Sequence, residues 1–568
     1  MLNGSSRRSL LRAAAAAATI AAVPTLAESA AAATRDGSGR PGRSPSPLGV
    51  IAVVPLDDRP YTWYAPQQIA TGAGYRTQLP PRSLLGRHAV PGDGAAVGDW
   101  LLRHADTADA FVVALPMIAY GGLLNSRNSS VPEREARDRL ARLDRLRRRY
   151  PRRRLYAFDT IMRLTPEGPW RLKLRDWATV KDEVENLGMT EKRPQLTALE
   201  AEIPADVRAD YLATRARNHR INLAMIDWAA RGVFDFLVIG QDDATGHGLH
   251  RPESLALAER IRRLGVGDRV VIYPGADVVA SLLIAKIAVA DARVSPRVHV
   301  EYSRAHGDEW TAPFQNIPYS ALIDGYVRTL GGTVVDGART ADVILMANTG
   351  GSAAPVDAFA DRLVAYVRAG RTVAVGDDAI AGVADRRLLE PLDGRVRYGE
   401  FAAYSGWNVG ISIAQSLSRW ALHERSRRLP APRYEDLLRE AAQASIELTL
   451  SEWVQTHSYR NFVRTAATAY ATSLGEADPQ NIQRHYDAVN AYAVEHTLPY
   501  ARELFDTQFA GASVRLGHSR GGPWHAQVAR VDRVQDWNLY LPWNRTGEIA
   551  AEPRVVLGTA RRRQDDEG

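Results

Sequence analysis

Phe236-Leu237-Val238-Ile239-Gly240-Gln241-Asp242-Asp243-Ala244-Thr245-Gly246-His247 is a short apolar run that stops at a polar, acidic cluster. So brief a run, bounded by a glycine and rich in aliphatic residues, suits a strand covered on both faces. An amphipathic stretch over residues 252–264 comes next, and then a second apolar run over 270–273. The whole segment therefore reads as a strand, a helix and a parallel strand.

The same phrase recurs. Runs at 50–56, 110–116, 155–158, 298–302, 343–346 and 372–375 bring the total to eight. Eight such units predict an α/β fold, a (β/α)8 TIM-like barrel over residues 49–420. A doubly wound open sheet, or two stacked Rossmann-like halves, answers to the same pattern. Beyond Trp420 the pattern changes to helical segments at 434–454, 459–474 and 481–505, then to alternating, strand-like sequence over 512–556. Residues 421–568 thus read as a helical appendage with a small β element. No repeat of fixed length and no glycine-rich phosphate loop interrupts the pattern.

Composition narrows the class. At the N-terminus, Ser6-Arg7-Arg8-Ser9-Leu10-Leu11-Arg12 precedes an alanine-rich apolar run that ends near residue 33. That layout predicts a twin-arginine export signal over 1–33, a flexible Gly/Pro/Ser linker over 34–48, and a secreted mature protein. The chain has no cysteine, which excludes thiolate catalysis and zinc–thiolate sites. No later stretch approaches the ~18 consecutive apolar residues of a membrane span, so stable membrane insertion is not expected. The formal charge of +7 sits largely in 134–154 and 561–563. In the first of these segments, arginines alternate with Leu140, Leu143 and Leu146 at helical spacing, a solvated helix face rather than a nucleic-acid surface.

The residues just after the apolar runs carry the chemistry. The first run ends in Asp57-Asp58-Arg59, the fourth in Asp242-Asp243 with His247 nearby, the fifth in Asp277, and the eighth in Asp377-Asp378. The carboxyl ends of parallel strands form the catalytic face of such folds, so these acids are expected in one pocket. A single Asp after a strand is ordinarily a helix cap or a turn residue. Capping needs only one Asp and gains nothing from a second, and here the pair occurs three times.

Two chemistries use crowded carboxylates. In glycoside hydrolysis a neighbouring negative charge raises the pKa of a proton donor into a useful range. In metal-assisted hydrolysis the same oxygens hold a hard cation. Adjacent residues on an extended strand point to opposite sides, so Asp242 and Asp243 do not readily share one compact metal site.

The stretches Pro55-Leu56-Asp57-Asp58-Arg59-Pro60, Met117-Ile118-Ala119-Tyr120-Gly121-Gly122, Gly240-Gln241-Asp242-Asp243, Tyr273-Pro274-Gly275-Ala276-Asp277 and Tyr404-Ser405-Gly406-Trp407-Asn408 together resemble a bacterial family of unknown function, over most of the chain. A second resemblance, confined to Asp242-Asp243, is to O-GlcNAcase-like and related N-acetylhexosaminidase barrels. It implies that Asp242 orients the 2-acetamido group as internal nucleophile and that Asp243 is the acid/base.

Other polar residues are expected on the same face as substrate contacts: Tyr302, Asn348, Trp407 and Asn408, together with Asp57, Asp58, Arg59, His247, Asp277, Asp377 and Asp378. A Trp beside Asn and Asp suits the apolar face and hydroxyl ring of a pyranose, although Trp407 is equally a core aromatic. Arg59 reads as a structural ion pair or a substrate contact. His247 and His250 read as hydrogen-bonding loop residues before metal ligands. The expectation is a secreted glycoside hydrolase, a retaining, substrate-assisted β-N-acetylhexosaminidase with GalNAc placed ahead of GlcNAc. It would need no cofactor or metal and would act on a glycan or glycoconjugate. The rivals are a metal-dependent deacetylase or phosphoesterase using Asp57, Asp58, Asp242, His247 and Asp377, and a non-catalytic carbohydrate-binding protein of the cell envelope.

Overall fold

The eight apolar runs are all strands, and they pair in two parallel sheets. The computed structural model describes residues 47–351, 356–428, 434–518, 526–558 and 561–562. The expected export signal over 1–33, nearly all of the expected linker over 34–48, and Arg563 lie outside the described residues. In the first sheet are β1 (Val50–Val54), β2 (Arg76–Gln78), β3 (Ala110–Ala114), β4 (Arg154–Ile161), β5 (Phe236–Gln241) and β6 (Val270–Pro274), in the order β2-β1-β3-β4-β5-β6. In the second are β7 (Arg297–Tyr302), β8 (Thr333–Val334), β9 (Val343–Asn348), β10 (Val373–Asp377) and β11 (Ala403–Ser405), in the order β8-β7-β9-β10-β11. Every pairing in both sheets is parallel.

These pairings establish an α/β fold with parallel sheets, and they do not show a closed eight-stranded barrel. In both sheets the second strand lies outside the first and the third lies on its other side, so each strand order reverses at its first strand. Such a reversal opens a crevice at the carboxyl ends of the two strands that flank it. The three strands without a counterpart among the apolar runs, β2, β8 and β11, have three residues or fewer. β2 is Arg-Thr-Gln and half exposed, as an edge strand allows.

The sheets are joined through helices with little polar surface. Helix Val279–Ala292 follows β6, helix Val409–Ser426 follows β11, and the two pack against each other and against Tyr64–Gly72. Val279–Ala292 is buried on nearly all sides, and its alanines let neighbouring backbones approach closely. Each Leu or Ile sealed there contributes about 1.5–3 kcal/mol.

The C-terminal part comprises helices Glu435–Trp453, Arg464–Ser473 and Tyr486–Gln508, then an antiparallel sheet of Ser513–His518, Ala526–Tyr540 and Ala550–Leu557. It shares a core with the second sheet: Trp453, Leu504 and Val555 belong to one apolar cluster with Ile344, Met346 and Val375. The arginine-rich helix Glu133–Arg149 buries Ala136, Leu140, Leu143 and Leu146 and carries ion pairs such as Arg137–Glu133 and Arg139–Glu135 on its outer face. No described helix is long and apolar enough to cross a membrane.

Candidate active cleft

At the end of β1, Asp57 and Asp58 point in different directions and have different partners. Asp57 is buried and accepts hydrogen bonds from Arg59 Nε at 3.0 Å, Arg59 Nη2 at 2.7 Å and Thr62 Oγ1 at 2.6 Å. Burial alone would raise its pKa, but Arg59 and Thr62 outweigh burial and hold it below the ordinary range. Asp58 turns the other way and accepts a 2.7 Å bond from Trp543 Nε1. Burial pushes its carboxyl up. Asp57 braces the turn through the Arg59 N–H, and both acids line a small recess with His88, Asn125 and Trp543. This recess lies at the strand-order reversal between β1 and β3.

Arg59 also reaches across to the loop after β6. Its Nη2 lies 2.7 Å from Asp277 Oδ1, and its Nη1 lies 3.3 Å from Oδ2. A single guanidinium therefore serves two carboxylates. Asp277 is pushed up to about 6, first by burial and then by the charges of Asp57 and Asp242, with Arg59 opposing. The face of Trp543 packs against Arg59, 4.7 Å from the ring centroid, and Arg545 lies 4.6 Å from the same ring.

At the end of β5 the two acids are tied by a chain of charges. Arg127 holds Asp242 Oδ2 through Nε at 3.0 Å and Nη2 at 2.8 Å, and its Nη1 lies 2.7 Å from Glu167. Arg163 bonds Glu167 and Asp243 Oδ2, both at 2.9 Å. Asp242 Oδ1 receives no hydrogen bond from the described residues. Asp243 adopts a φ of +43°, a left-handed conformation uncommon for a residue with a side chain, and turns toward solvent.

In the second sheet both acids of the pair accept a backbone N–H and a tyrosine hydroxyl. Asp377 is fully buried and accepts from Asn348 Nδ2 at 2.7 Å, the Asp385 backbone N–H at 2.9 Å and Tyr404 at 3.2 Å; burial pushes it up to about 7. Asp378 accepts from Tyr319 at 2.8 Å and the Val409 N–H at 3.2 Å, its Oδ1 is buried without a partner among the described residues, and burial brings it to about 6. Near it, Glu452 accepts from Ser405 at 2.8 Å and is pushed up to about 8, by burial first and by the charge of Asp378 second. Glu452 lies next to a π-helical turn, Val454–Tyr459, an element that accumulates at functional sites.

Trp407 is sandwiched. Tyr61 stacks on it with ring centroids 4.6 Å apart and 17° between planes, and Arg460 lies 4.6 Å from its centroid. Buried polar atoms without partners among the described residues gather around this sandwich and Trp543: Tyr61 Oη, Arg460 Nε, Arg545 Nε and Glu548 Oε2. Each such atom calls for a partner such as an ordered water or a polar ligand.

Several expected contacts have other duties. Asn408 caps helix Val409–Ser426 by accepting from the Gly410 N–H at 2.8 Å. Asn348 braces Asp377 and Asp385 from below. Tyr302 ends β7 half-buried, its hydroxyl pushed up to about 12 by burial. His247 bonds Glu183 at 2.9 Å on the helical insertion between β4 and β5, and His250 bonds the Thr245 carbonyl at 2.8 Å. His247 pairs with Glu183, and among the described residues no group of three or more His, Asp or Glu side chains could hold a metal ion together.

Arg127, Arg163, Tyr61, Tyr319, Glu452, Arg460, Trp543, Arg545 and Glu548 were not among the sequence-derived candidates. The run Leu541-Pro542-Trp543-Asn544-Arg545 is the one local signal among them, an aromatic flanked by Pro, Asn and Arg in a loop. Tyr61 directly follows the acidic stretch at 55–60, and the rest lie in segments with no such signal.

Residues 51–552 match the family described as a protein of unknown function, DUF4127, and the chain belongs to that family. No curated protein matches it.

Proposed function

We propose that this protein is an exported glycoside hydrolase that cleaves N-acetylhexosaminides, β-GalNAc ahead of β-GlcNAc, with the acetamide of the substrate as nucleophile. The observation that carries this reading is Asp277, a partly buried acid brought to about 6 and served by the same guanidinium as Asp57, a guanidinium that itself packs on Trp543. Two carboxylates on one cation leave an excess negative charge, and a proton on Asp277 relieves it. The weaker 3.3 Å contact to Oδ2 is the one such a proton displaces.

In this reading Asp242, fixed by Arg127, uses its open Oδ1 to accept the acetamide N–H and turns the acetamide oxygen toward the anomeric carbon. That oxygen forms a bond to the carbon as the glycosidic bond breaks, and the leaving oxygen takes the proton. Water then opens the cyclic intermediate and the anomeric configuration is retained. Asp243, the acid/base implied by resemblance, would lose its 2.9 Å pair with Arg163 on taking a proton. Asp277, whose carboxyl is pushed up by burial, is the donor in this reading. The reading needs parallel strands that end at one cleft and does not depend on closure into a (β/α)8 barrel. Export by the twin-arginine route agrees with the absence of cysteine. Turnover of nitrophenyl N-acetylhexosaminides with inhibition by a thiazoline analogue of the cyclic intermediate tests the proposal.

A further inference from the structure

The amino-terminal ends of the second sheet, away from the acidic cleft, carry a cavity of about 880 Å³. Thr372 and Ala402, which lead into β10 and β11, line it, whereas Asp377 and Ser405 end those strands. Five arginines contribute to its wall: Arg368, Arg371, Arg419, Arg515 and Arg530; among its lining residues Glu400 is the one carboxylate.

Arg419 is the decisive member. It is 6% exposed, its Nη2 donates to the carbonyls of Arg515 at 2.8 Å and Leu516 at 3.1 Å, and its Nη1 is buried with no partner among the described residues. No carboxylate of the described residues pairs with it, and burial alone draws its pKa down to about 9, so it remains charged at neutral pH. A buried guanidinium without a counter-ion is costly, and folded proteins resolve it by pairing. Arg371 likewise donates to the carbonyls of Ala338 and Ala341, and Arg530 to that of Gly511. The wall also includes the apolar residues Phe401, Trp420, Ile446 and Val514.

We infer that this cavity is a binding site for an organic anion with an apolar body, whose carboxylate or phosphate head pairs with Arg419 while its hydrocarbon part lies against Phe401, Trp420 and Val514. The planar fork of arginine suits both heads. The volume falls within the range of sites for small organic ligands. The inference does not rest on the hydrolase reading, because no residue of the cleft takes part.

The test is calorimetric titration of the full chain with octanoate, octyl phosphate, octanol and inorganic phosphate. One of the two octyl anions should bind with 1:1 stoichiometry and at least about tenfold more tightly than octanol, the discrimination expected of a charge-assisted bond. The better of the two anions identifies the head, and inorganic phosphate should bind more weakly than octyl phosphate. Arg419→Gln should weaken binding of that anion at least about tenfold without changing octanol. If this variant does not fold, as judged by circular dichroism, Arg371→Gln should show a smaller loss in the same direction. Octanol binding as tightly as the anions, no binding of either octyl anion at millimolar concentration, or anion binding unchanged in the variant that folds would overturn the inference.

Discussion

Asp57 and Asp277 share one guanidinium: Arg59 Nη2 lies 2.7 Å from Oδ2 of the first and 2.7 Å from Oδ1 of the second. The first comes from the loop after β1 and the second from the loop after β6, the far edge of the same sheet. This contact ties the loop after β1 to the loop after the edge strand β6, and it opposes the burial that raises the proton affinity of Asp277.

Replacing Arg59 by Met should therefore be severe. Asp57, buried, and Asp277, partly buried, would lose their common cation, and removing one member of a buried ion pair costs about 3–5 kcal/mol. Chemical denaturation at pH 7 measures it. The loss should shrink at pH 5, where Asp277 takes up a proton.

The pH dependence of activity rests on the same residue. A proton donor works only while protonated, and Asp277 is raised to about 6. kcat/KM should be flat on the acid side of this value and fall on the alkaline side, by about tenfold per pH unit well above it. A profile rising through pH 6 to 8 would assign Asp277 to some other role.

Leaving-group dependence separates the three acids. Asp277→Asn should lose about 10²- to 10⁴-fold on substrates with poor leaving groups and much less on an activated nitrophenol. Asp242→Asn should slow both alike, since its proposed part is to place the acetamide. If Asp243→Asn shows the strong dependence and Asp277→Asn does not, the proton comes from Asp243.

Much of this arrangement was legible in the sequence, for reasons that particular residues make clear. The runs at 236–239 and 343–346 announce buried strands because both faces are covered and every position is apolar. The doubled acids at 57–58, 242–243 and 377–378 announce more than capping: Asp57 accepts the Arg59 N–H while Asp58 meets Trp543, and Asp377 and Asp378 each combine a backbone N–H with a tyrosine hydroxyl. The sheet architecture was not legible, because strands buried on both faces read alike in a closed barrel and in two open sheets. β2 escaped notice because Arg76-Thr77-Gln78 has no apolar residue. Arg127, Arg163 and Trp543 escaped because each meets its acid from a distant segment, and nothing local marks an arginine as the partner of a particular aspartate.

Glu452 offers a test of the buried carboxyls through stability. Its folded pKa, about 8, lies above the ordinary glutamate value of about 4.3. The protonated form is thus favoured by folding, and the stabilisation is full below the unfolded pKa and is lost as pH rises toward 8. Glu452→Gln, neutral at every pH, should lack this loss. Its melting temperature relative to the parent chain should improve steadily from pH 5 to pH 8. A constant difference would mean that Glu452 is ionised in the folded protein throughout.

The central claim is hydrolysis of a glycosidic bond by carboxyl chemistry, and a panel of nitrophenyl glycosides, run with and without a chelator, tests it most directly. Release from the β-GalNAc substrate, the β-GlcNAc substrate or both, undiminished by chelation, is the result expected. No turnover of any glycoside, with chelator-sensitive release from a phosphate or acetyl ester instead, would contradict the account.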